Sequence, residues 1–185
     1  LETVRAGKVL YLEGYLWDSE AAKEAFLIAA EAAREAGRRV ALSLSDPFCV
    51  DRHRKSFREL VDGHVDLLFA NEAEIVSLYE AESFEEALTQ VQGRVEVAAL
   101  TRSEKGSVIL GEKGVQRIEA ITLGKLTDTT GAGDLYAAGF LYGYTQGRSL
   151  ADCGRIGAIA AGEVISHMGP RPDRDLKALV AEQLG

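Results

Sequence analysis

The chain has 185 residues, 46% of them hydrophobic, and a formal net charge of −8, enough apolar material for one sizeable core. That charge excludes a protein that works by coating nucleic acid or an anionic membrane surface, because both tasks need clustered Lys and Arg. Cys49 and Cys153 show no CxxC spacing, the three histidines form no HExxH pair, and no apolar run approaches the ~20 residues of a membrane span, so a reducing, cytoplasmic setting without a structural zinc fits.

Along the chain, short apolar runs alternate with helical patterns, the signature of βαβ units and a parallel sheet. The sequence opens at Leu1 without an initiating Met and enters a strand almost at once, at 8–12 (KVLYL), as a fragment does. Ser19 caps a long Ala- and Glu-rich helix that Gly37 terminates. A strand at 39–44 ends in the loop Ser45-Asp46-Pro47, and a helix over 51–61 leads to a strand at 65–69. Asn71 caps a helix running to Tyr79, and 82–92 is a further short helix. The strand 95–101 is followed by a Gly106 turn and a hairpin of 107–110 and 115–118. Two buried helices rich in Ala and Gly follow at 131–145 and 150–167, and a closing helix spans 173–184. There is no internal repeat, low-complexity tract or linker.

The informative stretch is Thr127-Asp128-Thr129-Thr130-Gly131-Ala132-Gly133-Asp134, a Gly-rich turn opening directly into a helix. Glycines let successive N–H groups converge, and the helix dipole adds partial positive charge, which makes an anion hole. Asp134 places a carboxylate beside it, able to act as base on a hydroxyl that attacks a bound phosphoryl group. The competing reading is a tight turn whose Asp merely complements the dipole. No GxxxxGK[ST] occurs, and the third glycine position of a GxGxxG is Tyr136, so neither a Walker A loop nor a dinucleotide fingerprint is present.

Asn71 and Glu74 lie one helical turn apart on one face and read equally well as a capping pair or as a polar pair addressing one ligand. Thr101 and Gly106 read locally as a strand-end turn. Ser43 and Ser45 stand near Asp46, but no GxSxG motif or placed His makes them a hydrolase site. Arg52, Arg54 and Lys55 form a solvated helix face.

The motif DTTGAGD resembles the DTxGAGD signature of ribokinase-like (PfkB) kinases. Asn71-Glu72-Ala73-Glu74 is similar to the family's NxxE element, and Thr101 to Gly106 (TRSEKG) to the strand-end segment that lines its nucleotide. Tyr11-Leu12-Glu13-Gly14-Tyr15 and Ser45-Asp46-Pro47-Phe48 resemble adenosine kinases in particular. Essentially the whole chain aligns in order with the C-terminal part of that family. The resemblance implies an α/β, three-layer αβα fold with a mostly parallel sheet. In it, residues 1–185 form a single domain, the catalytic and ATP-binding portion of a larger kinase whose N-terminal part and lid have no counterpart here.

The resemblance further implies transfer from ATP to a nucleoside hydroxyl, adenosine to AMP as in purine salvage, with ribose or fructose as the alternative acceptor. Asp134 would deprotonate the acceptor, and the amides of Gly131, Ala132 and Gly133 would neutralise charge on the transferred group. Asn71 and Glu74 would order Mg²⁺ with its waters, and Thr101 and Gly106 would border the adenine and ribose of ATP. Asp128 and Thr130 resemble positions that hold a monovalent cation such as K⁺. Two readings from other classes stand beside this one. A non-catalytic nucleotide-binding or oligomerisation module is favoured by the missing N-terminal segment and disfavoured by the intact GAGD, while a dinucleotide-dependent oxidoreductase is disfavoured by Tyr136. The chain alone is expected to bind nucleotide weakly and transfer nothing, and an exposed sheet edge favours a homodimer.

Overall fold

Strand formation follows the apolar runs. In the computed structural model, which describes residues 1–185, β1 (Val9–Glu13), β2 (Arg39–Ser43), β3 (Leu67–Asn71), β4 (Val97–Thr101), β5 (Ser107–Gly111) and β6 (Gly114–Ile118) form one sheet in that order. The first three strands are parallel, with Glu13 opposite Ser43 and Ser43 opposite Phe69. Their central residues are apolar on both faces, as a strand covered on both sides requires, and Val40, Ala41, Leu42, Leu67 and Leu68 are fully buried. The helices are α1 (Glu2–Ala6), α2 (Glu20–Glu35), α3 (Pro47–His64), α4 (Glu72–Tyr79), α5 (Phe84–Val91), α6 (Ala132–Thr145), α7 (Leu150–Val164) and α8 (Leu176–Leu184), with 3₁₀ turns at Gly14–Asp18 and Ser103–Lys105. The α/β class with a mostly parallel sheet is as expected.

The chain divides into two compact units. The first comprises Leu1–Leu100 with Leu110–Gly114. Its core gathers around Trp17, whose ring stands 5.5 Å from Phe26 and 5.4 Å from Phe57 and whose indole N–H donates to Ser56 Oγ at 2.9 Å. The second comprises Thr101–Ile109 with Val115–Gly185. There α6 and α7 pack so closely that a Cβ on Gly139 would lie 2.8 Å from Ile156 O and one on Gly157 2.8 Å from Tyr136 O. The small residues that made these helices look buried are what permits that approach.

Element boundaries differ from expectation where caps decide them. The helix expected over 51–61 starts earlier, at Pro47, because Asp46 accepts from Phe48 N (3.2 Å) and Cys49 N (3.0 Å) and Pro47 occupies the first turn. Asp66, expected inside the third strand, instead precedes it and accepts Val40 N at 2.8 Å through its carboxylate. The closing helix begins at Leu176 under an Asp175 cap. Both cysteines are buried and free, and no helix is long and apolar enough to cross a membrane.

Candidate active site

The Gly-rich turn lies in the second unit and is held from both sides. Asp128 Oδ1 accepts from the Thr130 amide at 2.9 Å and the Thr130 hydroxyl at 2.7 Å, and Oδ2 accepts from Gly169 N at 3.0 Å. The Thr130 hydroxyl, then the two amides, hold the Asp128 carboxyl below its ordinary value. Thr127 N donates to Ile165 O at 2.9 Å. Gly131, the N-cap of α6, has φ +80°, and a Cβ there would stand 2.9 Å from Pro170 Cβ. Only glycine combines that left-handed backbone with that contact.

No side chain caps α6. The first amides of a helix lack intrahelical partners, so this end of α6 presents donors and the positive end of the dipole to whatever lies beyond it. Of the three amides expected there, that of Ala132 donates to Thr129 O at 3.2 Å. A Cβ on Gly133 would meet nothing within 4 Å, so the space over the first turn is open. Asp134 is exposed in that turn. An uncapped N-terminus with an accessible carboxylate beside it can bind an anion and take a proton from a group brought against it. Tyr136, where the dinucleotide fingerprint has its third glycine, is buried and shares a 2.8 Å hydrogen bond with Ser107 Oγ.

Asn71 and Glu74 lie in the first unit, at the end of β3 and in the first turn of α4. They form a complete capping box: Asn71 Oδ1 accepts Glu74 N at 2.9 Å, and Glu74 accepts Asn71 N (2.8 Å) and Nδ2 (2.7 Å) on its two oxygens. The capping reading is therefore realised. Glu74 is only 5% exposed, and burial pushes its carboxyl up to about 7, with the Asn71 amide pulling the other way and Asp46 and Glu13 adding to the rise. No three His, Cys, Asp or Glu side chains are grouped to hold a metal ion themselves. The donor set suits Mg²⁺ only through its waters, since each Glu74 oxygen keeps acceptor capacity beyond its one bond to Asn71.

Sequence reasoning gave Glu13 and Asp46 no functional role, yet both act electrostatically on Glu74. Glu13 closes β1, Ser45 donates to its carboxylate, and Asp46 follows β2. The available signal was that a polar residue ends each successive parallel strand, the edge where open α/β sheets place ligands. Thr101 is half-buried at the end of β4. Gly106 has φ +79°, and a Cβ there would fall 2.0 Å from Ile118 O, so close approach of the chain's own backbone accounts for that glycine. Arg52 pairs with Asp18 (2.7 Å), Arg54 with Asp51 (2.7 Å) and Lys55 with Glu59 (3.8 Å), as a solvated face does.

Two solved structures resemble this chain along nearly its whole length. A probable sugar kinase from Rhizobium etli CFN 42 is 50% identical with a TM-score of 0.95, covering 98% of this chain and 56% of its own. The adenosine kinase from Sinorhizobium meliloti is 49% identical with a TM-score of 0.94, covering 100% of this chain and 56% of its own. A nucleoside kinase of Methanocaldococcus jannaschii is 36% identical over 121 residues, 65% of this chain and 39% of that protein. The chain thus spans less than half the length of the curated relatives it matches first and a little over half that of the two structures. The ribokinase-like fold expected from DTTGAGD holds. Residues 1–176 match the model of the pfkB family carbohydrate kinases, and the chain belongs to that family.

Proposed function

We propose that this chain is the catalytic, nucleotide-binding part of a longer kinase that transfers the γ-phosphoryl group of ATP to a nucleoside hydroxyl, with adenosine as the first acceptor and AMP as product. The observation that carries the reading is the start of α6, a 14-residue helix with a left-handed glycine at its N-cap, no side-chain cap and Asp134 in its first turn. Asp134 takes the proton of the attacking hydroxyl, the ribose 5′-OH for adenosine, as the bond from phosphorus to the ADP oxygen breaks. With the Ala132 amide taken by Thr129 O, the amides of Gly131 and Gly133 receive the charge on the transferred group, a contribution typically of several kcal/mol.

Mg²⁺ carried with ATP supplies charge neutralisation at the phosphates. Asn71 and Glu74 would accept hydrogen bonds from the waters of such an ion, and Thr101 and Gly106 would border the nucleoside of ATP. Asp128, held below its ordinary value by its three donors, and Thr130 would be the residues to hold a K⁺.

The likeness at 49% identity to an adenosine kinase supports adenosine. The equal likeness to a probable sugar kinase supports a second reading, with a sugar hydroxyl as acceptor. The test is ATP-dependent phosphorylation by the full-length protein of adenosine, other nucleosides, ribose and fructose in parallel. Turnover of adenosine well above the sugars is expected; activity on a sugar alone transfers the proposal to the second reading, and no transfer to any acceptor removes it.

A further inference from the structure

One buried carboxylate in the second unit has no part in the transfer chemistry. Glu163, near the end of α7, is 1% exposed, and a carboxylate taken out of water persists only among donors that replace its hydration. Its Oε1 accepts the amides of Asp173 and Arg174, each at 3.0 Å, and His167 Nε2 stands 3.4 Å away. The other nitrogen of that ring lies 3.2 Å from Met168 O and 3.6 Å from Asp173 Oδ2. Every one of these partners belongs to the segment between α7 and α8. That segment has no helix or strand of its own, so its shape depends on such anchors.

The segment so gathered meets the Gly-rich turn at three points. Gly169 N donates to Asp128 Oδ2 at 3.0 Å, Thr127 Oγ1 donates to Ser166 O at 3.2 Å, and Pro170 stands against Gly131 where a Cβ would be only 2.9 Å from it. We infer that Glu163 is a positioning residue for the Gly-rich turn: its carboxylate draws in the amides of Asp173 and Arg174, fixing the 166–174 segment that in turn holds Asp128 and Gly131. The inference rests on the proposed role of that turn in holding the transferred phosphoryl group. A hydrophobic side chain at Glu163 would fill the same volume and leave both amides unpaired, and a longer reach through water would not fix their directions.

The test compares the wild-type full-length protein with Glu163→Met, which nearly keeps the size but removes both acceptor oxygens and so leaves the amides of Asp173 and Arg174 unpaired. Amide hydrogen exchange is followed by segment, and phosphoryl transfer by rate. Exchange is expected to rise about tenfold both in 166–174 and in 127–134 while Leu1–Leu100 is unchanged. The value of kcat should fall about tenfold with KM for the acceptor within about twofold, as displaced catalytic geometry requires. Faster exchange confined to 166–174, with the turn and kcat unaltered, overturns the inference. Leu179→Ala in α8 controls for general loosening, and reproduction of the whole pattern by that variant overturns it equally. Should Glu163→Met fail to fold, Pro170→Gly, at an exposed position, tests the other end of the contact, and unchanged exchange at 127–134 there is fatal to the idea. If the wild-type protein phosphorylates no acceptor, the proposed function falls while the exchange measurement still decides whether Glu163 fixes the turn.

Discussion

Helices α4 and α6 begin in opposite ways. At α4, Asn71 and Glu74 satisfy one another's donors, and Glu74 is buried in doing so. At α6, Gly131 stands where a capping side chain would be, and nothing replaces it. A cap is worth about 1 kcal/mol of stability, which α4 has and α6 forgoes. The contrast separates a helix start closed by its own side chains from one left without a side-chain cap beside an exposed carboxylate.

The sharpest way to break this comparison is Asp134→Asn, which leaves the start of α6 intact and removes the base. Transfer in a single turnover should fall by about 10²–10⁴-fold, with ATP affinity by calorimetry changed by no more than about threefold; a near-normal rate would leave α6 as an anion site without a base.

The next effect lies at the α4 end. The Glu74 carboxyl stands near 7 in the folded chain against an ordinary 4.5, so the folded state holds its proton more tightly than the unfolded state does. Its stabilising contribution is fully present below pH 4.5 and is lost as pH rises through 7, a change of at most about 3 kcal/mol. In Glu74→Gln the urea midpoints at pH 5 and pH 8 should draw together. An unchanged gap would mean that the Asn71 donors already offset the burial of the charge.

Gly131→Ala forces a side chain onto a left-handed backbone and against Pro170, at an expected cost of about 1–3 kcal/mol in urea unfolding. A smaller loss would show that the turn relaxes without glycine. The smallest effect is at Lys55, whose side chain is 93% exposed and 3.8 Å from Glu59. Lys55→Ala should change stability by less than about 0.5 kcal/mol and leave nucleotide binding unaltered, whereas a clear drop in ATP affinity would move the phosphate site away from α6.

Much of the fold is legible because its signals are local. Ser19 and Asn71 cap the helices that follow them, and Gly37 has the positive φ that ends α2. The start of α3 escaped because Ser45-Asp46-Pro47 has the composition of a turn, although the same residues are an N-cap followed by Pro at the first helical position. The helix expected to reach 167 stops at Val164, and the residues after it turn to the Gly-rich turn instead, Ser166 O accepting from Thr127 and Gly169 N donating to Asp128. Both of those partners lie about forty residues away in the chain, beyond any local pattern.

Local sequence was enough for the alternation of strands and helices, for the caps at Ser19 and Asn71, and for the Gly-rich turn with Asp134 behind it. Each of these depends on backbone sterics and hydrogen bonds between residues a few positions apart. Only the tertiary structure decided that Glu74 and Glu163 are buried, that Glu13 and Asp46 act on Glu74, and that Pro170 closes on Gly131. Burial and charge proximity depend on which strand ends fall into register and which distant segment packs over a turn, and residues far apart in the chain set both.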